Sequence, residues 1–141
     1  MGLKSAMLGT SAVVAGAVVG GMVNMGLIVA GSQLLPPPPG VDVNDVASID
    51  AHIAEYSVAQ LLAPFVAHAL GTLVGAFVAA LIAPLRRLRV ALTIGVLFLA
   101  GGIMAVSMIP SAPLWFDALD LVVAYVLMAL LGARLAARLR P

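Results

Sequence analysis

The chain has 141 residues, of which 63% are hydrophobic and only 9% are charged, and it contains no cysteine. Soluble domains carry about 25% charged residues, so this composition excludes a chain that covers itself with a water-facing surface. The lack of cysteine excludes disulfides and thiolate sites, and a net charge of +1 without a basic patch argues against nucleic-acid binding.

Four apolar segments are long enough to cross a bilayer core about 30 Å thick, which takes about 20 helical residues. The predicted spans cover about 7–33, 63–85, 90–109 and 114–133. Because they use most of the chain, we predict a single transmembrane domain over 1–141. The sequence therefore predicts an all-α integral membrane protein, a four-helix transmembrane bundle, with the lipid bilayer as its first partner.

The first span carries small residues at four-residue spacing. Gly16 and Gly20 form a GxxxG pair, and Asn24 follows on the same face. Such a pair lets helix backbones approach closely, either inside one chain or between two copies. The run is about twice the length of a signal-peptide core, so we interpret it as a retained span, with signal cleavage near residues 15–17 as the alternative.

A polar joint follows the first span. Pro36 to Pro39 cannot continue a helix and favour a stiff extended spacer. Residues 44–57 then separate polar and apolar side chains into two neighbouring stripes, with Asn44 or Asp45 as the helix cap. This pattern predicts a short amphipathic outer helix that lies in the interface or covers the bundle.

The second span has the most regular packing pattern in the sequence. Pro64 fits its first turn, where a missing N–H group has no cost. Small residues then recur at every fourth position: Ala67, Gly71, Gly75, Ala79 and Ala83. We expect this stripe, and Gly71, Gly75 and Ala79 in particular, to face Gly16 and Gly20 of the first span.

The third and fourth spans are joined by a tight turn at residues 110–113. Trp115 and Phe116 begin the fourth span, where aromatic side chains belong at the interface. Asp117 and Asp120 lie in its first two turns.

The charges separate by sign along the chain. All seven basic residues fall at the N-terminus, the second joint or the C-terminus: Lys4, Arg86, Arg87, Arg89, Arg134, Arg138 and Arg140. All six acidic residues fall at the first joint or in and beside the third: Asp42, Asp45, Asp50, Glu55, Asp117 and Asp120. Since basic joints stay in the cytoplasm, we predict a multi-pass protein with cytoplasmic N- and C-termini.

The candidate functional residues are the polar side chains inside the spans: Asn24, His68, Thr72, Asp117 and Asp120. Their distances from the outer ends of their spans place them all in the outer half of the bilayer, so an inward-facing arrangement would bring them together in one outward-opening pocket. A histidine beside a carboxylate holds a proton or acts as an acid and a base. The alternative is a structural role, as hydrogen bonds between helices.

The sequence contains no catalytic motif. It lacks the zinc-protease, nucleophile-elbow, Walker and dinucleotide-binding patterns. His52 and Glu55 are three residues apart, but two ligands make a poor metal site. We therefore predict no enzyme activity, no cofactor and no metal.

The stretches VNMGLIVAG, PPPPGVDVNDVASI, AHALGTLVGAFVAALIA and PLWFDALDLVVAYV resemble a family of small uncharacterised bacterial inner-membrane proteins with four predicted transmembrane helices. The resemblance covers most of the chain and implies a location in the bacterial inner membrane. It carries no functional residues. We expect a structural or accessory protein, a homo-oligomer or the partner of another membrane protein. The alternative is a small transporter or channel subunit that uses the polar cluster.

Overall fold

The computed structural model describes the backbone of residues 3–139 and the side chains of residues 7–139. This part of the chain is all-α, with 83% of it helical and no strand. Four of its helices are long and apolar enough to cross a membrane. The side chain of Lys4 and the whole of Arg140, both used to predict the orientation, lie outside the described residues.

The helices in chain order are α1 (Leu3–Leu34), α2 (Val46–His52), α3 (Val58–Ile82), α4 (Arg87–Met108), α5 (Leu114–Val122) and α6 (Met128–Leu139). A 3₁₀ turn, Ile53–Glu55, follows α2. A π turn, Val123–Leu127, joins α5 to α6, so the fourth long helix is continuous from Leu114 to Leu139. It therefore extends beyond the predicted end at residue 133.

The start of α3 corrects the prediction that Pro64 lies in the first helical turn. The helix begins five residues earlier than predicted, because Ser57 and Gln60 form a capping box. The Ser57 hydroxyl accepts the Gln60 N–H at 3.3 Å, and the Gln60 side chain accepts the Ser57 N–H at 2.7 Å. Pro64 therefore lies inside the helix, where it removes one backbone donor. The helix ends at Ile82, before Pro84.

The predicted amphipathic helix over 44–57 is shorter in the structure. Asp45 is its N-cap and accepts the Ala47 N–H at 3.0 Å. Regular α-helix ends at His52, and the chain continues in the 3₁₀ turn. Ile53, on the apolar side, is 7% exposed, so this side of the segment packs onto the bundle.

Helix α3 is the centre of the bundle. It packs against α1 on one side and against α5 and α6 on the other, while α4 contacts all of the other long helices. Within the described residues, α1 does not contact α5 or α6. Helix α1 and the fourth long helix therefore lie on opposite sides of the α3–α4 pair.

Small residues form the core, which allows the helices to approach closely. A Cβ atom added to Gly16 would lie 2.5 Å from the Gly75 carbonyl oxygen, and one added to Gly20 would lie 2.6 Å from that of Gly71. Ala79 also contacts the Gly16 position. The GxxxG pair of α1 is thus used inside the chain, against the small-residue stripe of α3.

A second part of the core joins α3, α4 and α6. Its fully or almost fully buried members are Ala76, Ala79, Ala80, Ala91, Ile94, Ala129, Ala133 and Ala136. Only Ile94 among them is large. Large apolar side chains lie instead on the outside of all four long helices, including Met22 (71% exposed), Ile103 (54%) and Val122 (64%).

Candidate functional site

Three ionisable or hydroxyl side chains meet between α3 and the fourth long helix. His68 Nδ1 lies 2.9 Å from Asp120 Oδ1 and 3.1 Å from Oδ2. The Tyr125 hydroxyl donates to Asp120 Oδ2 at 2.8 Å and lies 3.3 Å from His68 Nδ1. We call this group the triad. Because a carboxylate only accepts hydrogen bonds, the proton on the imidazole ring belongs on Nδ1.

The triad is buried to different depths. The Asp120 side chain is 4% exposed, whereas the His68 side chain is 21% exposed. The His68 Nε2 atom has no hydrogen-bond partner among the described residues. The arrangement therefore holds the carboxylate rigidly on the inside and leaves one ring nitrogen available to exchange a proton with a bound molecule or water.

The π turn explains how Tyr125 reaches Asp120. In a regular α-helix, residues five apart point about 140° away from each other. The wider turn over Val123–Leu127 reduces this angle and brings the phenol back to the carboxylate. Gly102 of α4 provides the space for the ring, since a Cβ atom there would overlap the Tyr125 hydroxyl.

The structure separates the five candidate residues into two groups. His68, Asp117 and Asp120 line one cavity, whereas Asn24 and Thr72 do not line it. Thr72 is fully buried and donates its hydroxyl to the His68 carbonyl, one turn earlier in the same helix, at 2.8 Å. Thr72 thus belongs to the support of α3, and the prediction that it joins the pocket is wrong.

Asn24 lies at the contact between α1 and α3, directly against Gly71. Its Oδ1 atom is buried and has no hydrogen-bond partner in the described part of the chain. Asn24 does not line the pocket, contrary to the prediction. It lies on the face of α1 that carries Gly16 and Gly20, and this face packs against the α3 backbone.

The cavity has a volume of about 480 Å³. Its walls come from the end of α1 and the end of α4, the start of α3 and the start of α5, and α2 covers it. It therefore lies between α1 and α4, at the end of the bundle that carries the acidic joints. His68 is ten residues after Val58, so the triad lies about 15 Å along α3.

Two sets of polar contacts link the elements that surround the cavity. The Asp50 carboxylate accepts the Ser111 N–H at 2.9 Å and the Ser111 hydroxyl at 3.3 Å. The Gln60 side-chain amide donates to the Pro36 carbonyl. Asp50 thereby ties α2 to the α4–α5 joint, and Gln60 ties the start of α3 to the spacer after α1.

Among the described residues, no group of three or more histidine, cysteine, aspartate or glutamate side chains is arranged to hold a metal ion. His52 Nδ1 is instead within 2.9 Å of the Ser48 carbonyl, in its own helix.

The residue that sequence reasoning missed is Tyr125. The one signal for it in the sequence is its phenol hydroxyl, a polar group inside an apolar span. Regular helical spacing places residue 125 away from Asp120, so only knowledge of the π turn connects the two.

Comparisons with protein-family models, with curated proteins and with solved structures give no match to this chain.

Proposed function

We propose that the protein is a multi-pass protein of the bacterial inner membrane with both termini in the cytoplasm. The four long apolar helices and their exposed apolar side chains support insertion, since soluble proteins rarely expose large apolar patches. The arginines of the α3–α4 joint and of α6 support the orientation, because basic joints stay inside. The acidic end of the bundle, with the cavity, then faces outward.

Within that membrane, the protein acts as a small transporter or channel subunit whose outward-facing cavity leads to the triad. One observation carries this proposal: His68 and Asp120, which are hydrogen-bonded to each other and to Tyr125, form part of the wall of a 480 Å³ cavity inside an apolar bundle. Ionisable side chains are costly within a membrane and are found there chiefly on substrate, ion or proton pathways. The accessory role expected from the sequence has less support, because the GxxxG pair is already used against α3.

The first test asks whether water reaches the cavity. The natural chain has no cysteine, so single cysteines report one position each. Met25 lines the cavity, and Met22 lies on the same helix, 71% exposed but outside the cavity. In sealed vesicles, Met25→Cys should react with a membrane-impermeant thiosulfonate, whereas Met22→Cys should react at least tenfold more slowly. Equal, slow reaction of both would contradict a water-filled path.

The second test measures transport itself. Liposomes that contain the protein and an internal pH dye should show proton flux under an imposed membrane potential. Asp120→Asn keeps the size of the side chain and its acceptor oxygen, but it loses the carboxylate that exchanges a proton with His68. We expect this variant to fold, with an unchanged helical circular dichroism spectrum, and to lose most of the flux. Flux at the natural level in Asp120→Asn would overturn the proposed role.

A further inference from the structure

We infer that the ligand of this cavity is a small organic cation with an apolar body, such as a quaternary ammonium ion, and that Asp117 is its counter-charge. This inference rests on the proposed function, since it names the class of molecule that the same cavity binds. It is carried by the lining of the cavity, by the unequal environments of its two carboxylates, and by the charge at its mouth.

The lining is mostly apolar, with seven polar side chains among its residues: Ser32, Asn44, Tyr56, Gln60, His68, Asp117 and Asp120. The walls contributed by α1 and α4 consist mainly of apolar side chains, among them Ile28, Val106 and Ile109. Tyr56 and Phe116 add two aromatic rings. A ligand must therefore offer an apolar body to most of the surface, and aromatic faces also attract organic cations.

The two carboxylates in the wall differ in what they bind. Asp120 is buried and accepts hydrogen bonds from both His68 and Tyr125. Asp117, one turn earlier on α5, lines the same cavity, and its carboxylate has no hydrogen-bond partner among the described residues. Asp120 is thus already satisfied within the protein, whereas Asp117 has a free charge to offer a ligand.

The charge around the cavity has one sign. No lysine or arginine occurs among the described residues that line it. The covering segment carries four further acidic residues, Asp42, Asp45, Asp50 and Glu55, while the described arginines lie at the opposite end of the helices. A cleft lined by one sign of charge concentrates ligands of the other sign, so this entrance favours cations and repels anions.

The size of the cavity and its single unpaired carboxylate limit the ligand further. A volume of about 480 Å³ is within the range of sites for small organic molecules and exceeds the needs of a bare metal ion. One free carboxylate matches one positive charge. The site therefore fits a monovalent organic cation, with its charge at Asp117 and its apolar part toward α1 and α4.

The experiment uses the full-length Met25→Cys protein and follows its modification by N-ethylmaleimide. Three aromatic probes of similar size differ in charge: benzyltrimethylammonium, benzyl alcohol and benzenesulfonate. We expect the cation to protect the cysteine at a concentration at least tenfold lower than either of the others. A tenfold difference corresponds to about 1.4 kcal/mol.

Two further substitutions locate the charge. Asp117→Asn in the Met25→Cys protein should remove the advantage of the cation and leave protection by benzyl alcohol unchanged. Glu55→Gln removes the same charge from an exposed residue outside the cavity and should leave the preference for the cation within twofold.

The outcomes separate the two proposals. Equal protection by all three probes, or by none, with a cysteine that remains reactive, would overturn the cation assignment and leave the water-filled cavity standing. A preference for the cation that survives Asp117→Asn would overturn the role of Asp117. An unreactive cysteine at position 25 would overturn the cavity's proposed function, and the cation assignment with it.

Discussion

The bundle has a closed half at its basic end and an open half at its acidic end, which differ in how closely α1 approaches its neighbours. Toward the basic end, Gly16 and Gly20 bring the α1 backbone against Gly71 and Gly75, so that no side chain fits between them. Toward the acidic end, α1 is separated from α4 by the cavity that contains His68 and Asp120. Close packing of small residues in the closed half stabilises the bundle. The open half can therefore contain a cavity lined by polar groups while the protein stays folded.

The largest expected effect comes from breaking the closed half. Gly20→Leu should destabilise the protein by about 3 kcal/mol or more, because its Cβ alone would lie 2.6 Å from the Gly71 carbonyl oxygen. The adjacent Gly21 has nothing within 4 Å of its Cβ position, so Gly21→Leu is a matched control. It should be neutral or stabilising by up to about 1 kcal/mol, from helix propensity. Unfolding in detergent micelles measures both, and equal losses would contradict the close contact.

A second pair of adjacent glycines, Gly101 and Gly102, tests the close contact between α4 and the Tyr125 ring in the open half. Gly102→Ala would overlap the Tyr125 hydroxyl and should cost about 1–2 kcal/mol as the ring moves away from Asp120. Gly101 has an open Cβ position, and Gly101→Ala should stabilise α4 by about 0.5–1 kcal/mol. The two variants should therefore shift the unfolding midpoint in opposite directions. A stabilising shift in both variants would mean that the Tyr125 ring moves without cost.

The cover of the open half should depend on weaker contacts. Asp50→Ala removes two hydrogen bonds to Ser111, both exposed, and should cost about 1 kcal/mol or less. Its clearer effect should be faster amide hydrogen exchange at Ser111 and in α2. Glu55→Ala, which alters an exposed acid of the following 3₁₀ turn, should leave exchange at Ser111 unchanged. Faster exchange there in both variants would point to a general charge effect.

The smallest expected change in stability comes from Asn24, and it should be a gain where Gly20→Leu, Gly102→Ala and Asp50→Ala give losses. Asn24 buries an oxygen without a partner, so Asn24→Ala should be neutral or stabilising by about 1 kcal/mol. Ser32→Ala, on the same helix, measures the gain from helix propensity alone, because the Ser32 hydroxyl is exposed and bonded only to the Val29 carbonyl. A loss of stability in Asn24→Ala greater than in Ser32→Ala would show that Asn24 has a partner in the membrane.

The sequence was sufficient for the number of long helices and for the small-residue faces that join α1 to α3, because hydropathy and four-residue spacing report directly on both. It was insufficient at helix boundaries, where local hydrogen bonds decide. The Ser57–Gln60 capping box moved the start of α3, and with it the depth of His68. The sequence was also insufficient to predict how α1 and α3 are rotated about their own axes. This rotation places Asn24 and Thr72 away from the cavity.

The π turn has a consequence for the whole fourth helix. One extra residue in a turn rotates everything after it by about 100° relative to a regular helix. The first part of this helix presents Asp120 to His68, while the second part presents Ala129 to Gly95 and Gly132 to the α3 backbone at Leu73. A regular helix could satisfy only one of these two requirements. The π turn therefore changes the rotation of side chains about the helix axis. Because of this change, the residues before the turn and those after it face different neighbours.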